Sequence, residues 1–250
     1  MSILLAILML APATPGRGPS AGLAELQKSC DAGNAKACDE LGNRVRDGLG
    51  VARDLRRARE LFRKSCKGKD ADGCADDAHA LALGEGQDAK PRVALPRLEK
   101  MCKGGQARAC GHLGDVFFRG QGGPQDAVRA EDLLTHACEK GTARACSNLA
   151  SVALKTGSRE RAEELAEQGC DLGDPFGCSY LGDLYAASND SVRAATFFAR
   201  ACEAGMAHGC AGQGYLLYDS GIDPQRGRAL LQKGCDGGDP KACQVLRDLK

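Results

Sequence analysis

The 250-residue chain is predicted to be an all-α solenoid of stacked helical hairpins. Three observations carry this: the spacing of its cysteines, the turn and cap residues placed around them, and a composition poor in aromatics. Fourteen cysteines fall into seven pairs: Cys30 and Cys38, Cys66 and Cys74, Cys102 and Cys110, Cys138 and Cys146, Cys170 and Cys178, Cys202 and Cys210, and Cys235 and Cys243. The first member recurs after 36, 36, 36, 32, 32 and 33 residues, the range of periods that marks stacked helix pairs. Hydrophobic residues make up 43% of the chain but aromatics only 4%, and Trp is absent. A core of Ala, Leu, Gly and Cys suits closely packed helices rather than a β-sandwich, which draws on Val, Ile, Thr and aromatics.

Each repeat reads as a helix A followed by a helix B. Three residues after the first Cys of a pair stands Gly33, Gly105, Gly141, Gly173, Gly205 or Gly238, where a helix C-terminus calls for a left-handed residue. The next position holds Asn34, Asp70, Thr142, Asp174 or Asp239 in five of the seven pairs, good N-caps for a following helix A. Pro175 and Pro240 then occupy the first helical position, which tolerates proline. The second Cys therefore lies in the first two turns of helix A. Further along come Leu41-Gly42, Leu113-Gly114, Leu149-Ala150 and Leu181-Gly182, where the small residue admits a neighbouring helix and Leu fills the core. Helix B starts after Asp54, Asp126, Ser158, Asp190 or Asp223. It carries Ala58, Ala94, Ala130, Ala162, Ala194 or Gly227 eight residues before its Cys. Bulky pairs such as Leu61-Phe62, Leu133-Leu134 and Phe197-Phe198 complete its buried face.

The first three repeats run 28 residues from second Cys to next first Cys, and the later ones 24, 24 and 25. Four residues are roughly one helical turn, so the loss leaves the core register intact, and it falls in the Gly-rich link seen in full at Gly48-Leu49-Gly50-Val51. Repeat two is irregular: Asp77 replaces the usual Leu, and Pro91 with Pro96 predicts a helix B that begins late or is kinked.

The N-terminus differs in kind. Ile3 to Ala11 is a nine-residue apolar run, too short to span a bilayer, followed by Ala11-Pro12-Ala13, small residues spaced for signal peptidase. No Lys or Arg precedes the run. Residues 1–13 are expected to be a signal peptide and 14–22 a linker. Residues 23–250 form the solenoid, six full hairpins with terminal half-repeats. No Cys follows the run before Cys30, so a lipoprotein anchor is not expected. No other segment is expected to span a membrane.

The stretch Cys38-Asp39-Glu40-Leu41-Gly42, with Gly48-Leu49-Gly50-Val51, Asp54, Ala58, Leu61-Phe62 and Cys66, resembles the Sel1-like repeat. More narrowly, the paired cysteines look like the Helicobacter cysteine-rich protein branch of that family. The resemblance covers about residues 23–250. Repeats four to six depart from it in lacking the Gly-x-Gly-Val link, as does the irregular repeat two. It implies a secreted or periplasmic α/α solenoid, a right-handed superhelix related to tetratricopeptide repeats, with a disulfide inside each Cys pair. It also implies protein-interaction roles. Some members are described as penicillin-binding or weakly β-lactamase-active, and a eukaryotic branch assembles respiratory complexes in an oxidising compartment.

An even count, regular spacing and an export signal agree with disulfides, and a tight turn between helices can bring residues eight apart within bridging distance. Each short loop contributes about 2–3 kcal/mol and seven on the order of 15 kcal/mol, as an upper bound. The competing reading is metal, because His112, His136 and His208 each stand two residues from a Cys. A seven-residue gap is too wide for the usual zinc chelate, and a His so placed is more often a surface or partly packed side chain. No Cys-x-x-Cys motif supports redox catalysis, and no cofactor or metal is expected.

Catalysis finds little support. No Ser is followed by Lys three residues on, as a serine β-lactamase would need. Lys155-Thr156-Gly157 matches another motif of those enzymes, but without its companions. Thirty-four basic against thirty-three acidic residues, with no basic run, argue against a nucleic-acid partner. The sequence therefore points to a monomeric, exported scaffold for a protein or peptide, the alternative being a binder or weak hydrolase of β-lactams or cell-wall fragments. By analogy with tetratricopeptide repeats, helix A supplies the concave binding face. The candidates there are Asp39, Asn43, Arg108, Asp115, Phe118, Arg119, Arg144, Ser151, Lys155, Asp183, Tyr215 and Tyr218.

Overall fold

The computed structural model describes residues 19–121 and 125–249, so the expected signal peptide lies outside the described residues. Fourteen helices and no strands are present among them. They are α1 (Pro19–Asp31), α2 (Ala35–Asp47), α3 (Leu55–Lys67), α4 (Ala71–Leu83), α5 (Pro91–Lys103), α6 (Ala107–Arg119) and α7 (Ala127–Glu139). There follow α8 (Ala143–Lys155), α9 (Arg159–Asp171), α10 (Pro175–Ala187), α11 (Ser191–Glu203), α12 (Ala207–Asp219), α13 (Pro224–Asp236) and α14 (Pro240–Asp248). Helix α1 begins at Pro19, so it takes in the last residues of the stretch read as linker. No described helix is long and apolar enough to cross a membrane.

The junctions follow the local chemistry of the chain. The residue three after each first Cys is left-handed, at Gly33, Gly105, Gly141, Gly173, Gly205 and Gly238, and even Lys69 adopts φ 65° where the glycine is missing. Asn34, Asp70 and Asp239 then cap the next helix through their side chains. Asp174 and Thr142 make no such bond; the Asp174 carboxylate is taken instead by Arg144, 2.8 Å away. All fourteen cysteines are bridged, each pair joining the end of an odd-numbered helix to the first turns of the next even one. Cα separations of 4.4–4.7 Å lie within the range a disulfide spans.

The shortening falls in the link between helices, as the sequence led one to expect: α8 to α11 are thirteen residues long like α2 to α7. The whole deletion falls in the A-to-B loop, crossed in three residues with Gly157 or Asn189 left-handed. Of the two outcomes expected for helix B of repeat two, a late start is not observed. Pro91 sits at its first position, where no N–H is needed, and leaves it in register with the other odd helices.

Even-numbered helices touch the next even helix along the array, whereas odd-numbered helices meet one another marginally at most. The even helices therefore form the inner, concave layer. Within a hairpin the two layers cross at paired small residues: a Cβ on Gly42 would fall 3.3 Å from Ala58 O and 2.6 Å from the Phe62 ring. Gly114 and Ala130, and Gly214 and Gly227, repeat this crossing. The core is accordingly a string of small clusters, centred on Leu41 with Phe62, on Leu98, on Leu134, on Leu181 and on Leu231.

The superhelix winds tightly enough to meet itself. Gly50 N, in the α2–α3 loop, donates to Gly205 O, in the α11–α12 turn, at 3.0 Å. A Cβ on Gly205 would stand 2.7 Å from Gly50 N, whereas Gly173, with the same left-handed φ, has nothing within 4 Å. Gly173→Ala is expected to cost about 1–2 kcal/mol for the backbone alone. Gly205→Ala should cost roughly 1–3 kcal/mol more, for overpacking the contact. Urea denaturation of the two variants checks this, and equal losses would mean that the contact does not form in solution.

Candidate functional site

On the even helices, the positions two before, two after and five after the second Cys share one face, since residues i, i+4 and i+7 lie above one another. Along α2 to α8 these positions include Asp72, Arg108 and Arg144, then Asp76, His112 and Asn148, then Asn43, His79 and Asp115. They converge on one polar cluster, and all of them but His79 and Asp115 line a cavity of about 630 Å³. A second cavity of about 380 Å³ shares the walls at Arg46, Asp47, His112, Arg144 and Asn148.

Asp76 is the hub, only 1% exposed. It accepts from His112 Nε2 at 2.6 Å, Arg108 Nη1 at 2.7 Å, and Arg46 Nη1 and Asn43 Nδ2, both at 3.3 Å. Burial works to raise its pKa, but the His112 hydrogen bond and the two guanidiniums outweigh it and hold the carboxyl well below the usual range. Asp39 meets the opposite fate. Arg108 Nη1 lies 3.1 Å from it, yet burial and the neighbouring Asp76 push it up to about 8. Burial pulls His112 down to about 4, so it donates to Asp76 as a neutral ring.

The cluster continues in both directions. The His79 ring stacks on His112 with centroids 4.2 Å apart and approaches Asp115 at 2.9 Å. Asp115 also accepts from Arg119 at 2.9 Å and from Asn148 at 3.3 Å. Burial opposes its ionisation, and the bonds from His79 and Arg119 overcome that, lowering its pKa. On the other side Arg46 chelates Asp47. Arg144 reaches from Asp47 at 2.9 Å to Asp174 at 2.8 Å, its guanidinium 4.1 Å over the Phe176 ring. Arg144 thus straps α2 to α10 across the interior of the superhelix. All four arginines of the cluster are committed to its own carboxylates.

The twelve sequence candidates therefore separate into groups. Asp39, Asn43, Arg108, Asp115, Arg119 and Arg144 belong to the cluster. Phe118 and Lys155 pair with each other, the ammonium 4.3 Å over the ring, and Ser151 bonds back to Ser147 O on its own helix. Asp183 and Tyr215 line a separate cavity between α10, α12 and α14, while Tyr218 packs on the last core cluster. Sequence reasoning missed Arg46, Asp47, Asp76, His79, Asn148 and Asp174. Counting i, i+4 and i+7 from the second Cys would have found Asp76, His79 and Asn148. His112, expected on or near the surface, is buried because that register turns it inward. His208 bridges Asp183 at 3.0 Å and Asp239 at 3.2 Å.

These shifts give a pH signature. Asp39 keeps its proton to about 8 in the folded chain, against an ordinary 3.8, so its contribution falls as pH rises from about 4 to 8. His112, held near 4 against 6.5, works the other way between about 4 and 6.5. The two oppose each other there, and of the two only Asp39 acts from pH 6.5 to 8. His208, raised by its bond to Asp183, adds a fall of the same sign as Asp39. Asp39→Asn should therefore flatten, without abolishing, a decline of up to about 1.4 kcal/mol per pH unit over that window. Urea midpoints at pH 6.5 and 8 measure it, and parallel profiles for the two proteins would show Asp39 to be ionised.

Solved structures at low identity share this fold. A Sel1 repeat protein from Oxalobacter formigenes aligns over 93% of this chain and 70% of its own, with TM-score 0.63 and 21% identity. A protective antigen present in uropathogenic Escherichia coli strains, displaying an SLR fold, aligns over 91% of this chain with TM-score 0.59 and 19% identity. The chain spans about half of that antigen, 51%. PilF of Pseudomonas aeruginosa aligns over 93% of this chain and 97% of its own, with TM-score 0.52 and 17% identity. No curated protein matches the chain. Sel1 repeats are matched at residues 35–70, 107–142, 143–174, 176–206 and 210–239. The internal stretch passed over, 71–106, is the irregular hairpin with Asp77 and Pro96. With five repeats matched across most of the array, the chain belongs to the Sel1 repeat family.

Proposed function

We propose that the protein is an exported, disulfide-stapled scaffold that binds a protein or peptide on its concave face. Sel1 repeats generally mediate protein–protein interactions, and seven disulfides suit an oxidising compartment such as the periplasm or the cell exterior. The observation that carries the reading is the inner layer itself. Even helices held at fixed spacing by covalent staples and by the buried cluster present a preorganised surface, and preorganisation lowers the cost of binding. The first repeats supply rigidity, since their charges are spent on one another, and the later repeats supply open surface.

Oxidised protein used as bait tests this. A partner captured from the protein's own compartment should protect the even helices from hydrogen exchange and should not bind the reduced, alkylated chain. Protection confined to the odd helices, or a partner indifferent to reduction, would overturn the concave-face reading.

A further inference from the structure

Two residues after the second Cys, earlier repeats carry Glu40, Asp76, His112, Asn148 and Tyr180, but α12 carries Gly212. With no side chain at that position, the concave face opens into a cavity of about 480 Å³ between α10, α12 and α14. Its floor is apolar, formed by Phe198 and Leu231, both buried. The floor comes hard up against the backbone: a Cβ on Gly212 would lie 2.7 Å from the Phe198 ring. Ala242 and Val245 of α14 form one wall, and Leu216 and Tyr215 the other. Tyr215 is 51% exposed, which leaves a large aromatic surface in water.

The rim is charged differently from the first half of the array. There, four arginines neutralise the carboxylates. Here Asp183, Asp219 and Asp239 face one lysine, Lys241, and His208, with no arginine among the lining residues. Asp239 is already engaged by the Ala242 amide and by His208. Asp183 shares His208 but keeps 57% of its side chain exposed, and Asp219 has no ion pair or hydrogen-bond partner among the described residues. The cavity is thus an apolar socket with an acidic lip.

We infer that this socket receives a peptide segment carrying a large apolar side chain beside a lysine or arginine. The apolar side chain covers Phe198, Leu231 and Val245 and stacks on Tyr215. The neighbouring cation pairs with Asp183 and Asp219. An anchor buried in a pocket and a charge at its rim is the usual division between affinity and selectivity at such surfaces. This rests on the scaffold reading above, and it adds the place and the chemistry of the ligand.

Panning a random dodecapeptide phage library on oxidised protein tests it. Enriched peptides are then synthesised and measured by fluorescence polarisation against wild type, Tyr215→Ala, Asp183→Asn and, as a control on the outer helix α5, Lys100→Ala. The expected peptides pair Leu, Ile, Phe or Trp with Lys or Arg. They should weaken at least about tenfold on Tyr215→Ala, several-fold on Asp183→Asn, and by less than about twofold on Lys100→Ala. Changing their basic residue to Gln should reproduce the Asp183→Asn loss. Tyr215 and Asp183 are exposed, so neither variant disturbs folding, which circular dichroism verifies. Peptides that bind all variants equally would overturn the socket and leave the scaffold reading intact. No enrichment at all would count against both. If the wild type sediments as a dimer and Tyr215→Ala as a monomer, the occupant is a second copy and the peptide assignment fails.

Discussion

Reduced and alkylated, the protein is expected to lose its native fold at 25 °C. Its core is a string of small clusters rather than one continuous body, and aromatics, the largest apolar side chains, make up 4% of the chain. Each disulfide closes a short loop, separation eight, worth about 2–3 kcal/mol by restricting the unfolded chain. Seven such terms, on the order of 15 kcal/mol as an upper bound, rival the roughly 5–15 kcal/mol by which ordinary domains are stable. Removing one staple, as in the Cys138→Ala, Cys146→Ala double variant, should cost only about 2–3 kcal/mol. Far-UV circular dichroism during urea titration measures both. A reduced chain that keeps full helicity and unfolds within a few tenths of a molar of the oxidised midpoint would show that the hairpins hold without their bridges.

Asp76→Ala is expected to be the most damaging single substitution, at about 3–5 kcal/mol. The cost comes from what remains, not from what is removed. Arg46 and Arg108 would keep their positive charges with their shared acceptor gone, and a buried charge stripped of its partner carries nearly its full desolvation penalty. Arg108 retains Asp39 and Asp72, at 3.1 and 3.6 Å, so part of the loss is recovered. That recovery has its own readout. Without Asp76 beside it, Asp39 keeps the burial that raises its pKa but loses the next-largest cause, so its pKa falls and it ionises more readily to pair with Arg108. The Asp39 share of the decline in stability between pH 6.5 and 8 should then shrink in the variant. A loss under about 1 kcal/mol with an unchanged pH profile would mean that the cluster is hydrated and loosely held.

Most of the architecture was legible because it is local. A left-handed turn three residues past a helical Cys, an Asp or Asn cap, and a small residue at each crossing are demands that one or two side chains answer. Gly33, Asp54 and Ala58 could be read without knowing what surrounds them. The loop shortening was legible too, because the later repeats lack the Gly-rich link seen at Gly48-Leu49-Gly50-Val51 while their helix signals persist. The cluster was half visible: Asp39, Asn43, Arg108, Asp115, Arg119 and Arg144 were recognised as inward-facing. In sequence, however, Asp76 and His112 look like any polar residues on a helix. What buries them is the curvature of the array, a sum of small rotations between hairpins that no single position encodes. Arg144 meets Asp47 across 97 positions for the same reason.

A linear array of repeats ordinarily frays from its ends, each hairpin held only by its neighbours. The hydrogen bond from Gly50 to Gly205 and the Arg144 strap alter that order. They couple the first hairpin to the fifth and sixth, so everything from α2 to α12 becomes one cooperative block that must open together. Contacts this distant in sequence also raise the contact order and slow folding. Outside the block lie α1 at one end and α13 with α14 at the other. The last turn of the array is therefore free to open ahead of the block, and it supplies the α14 wall of the socket.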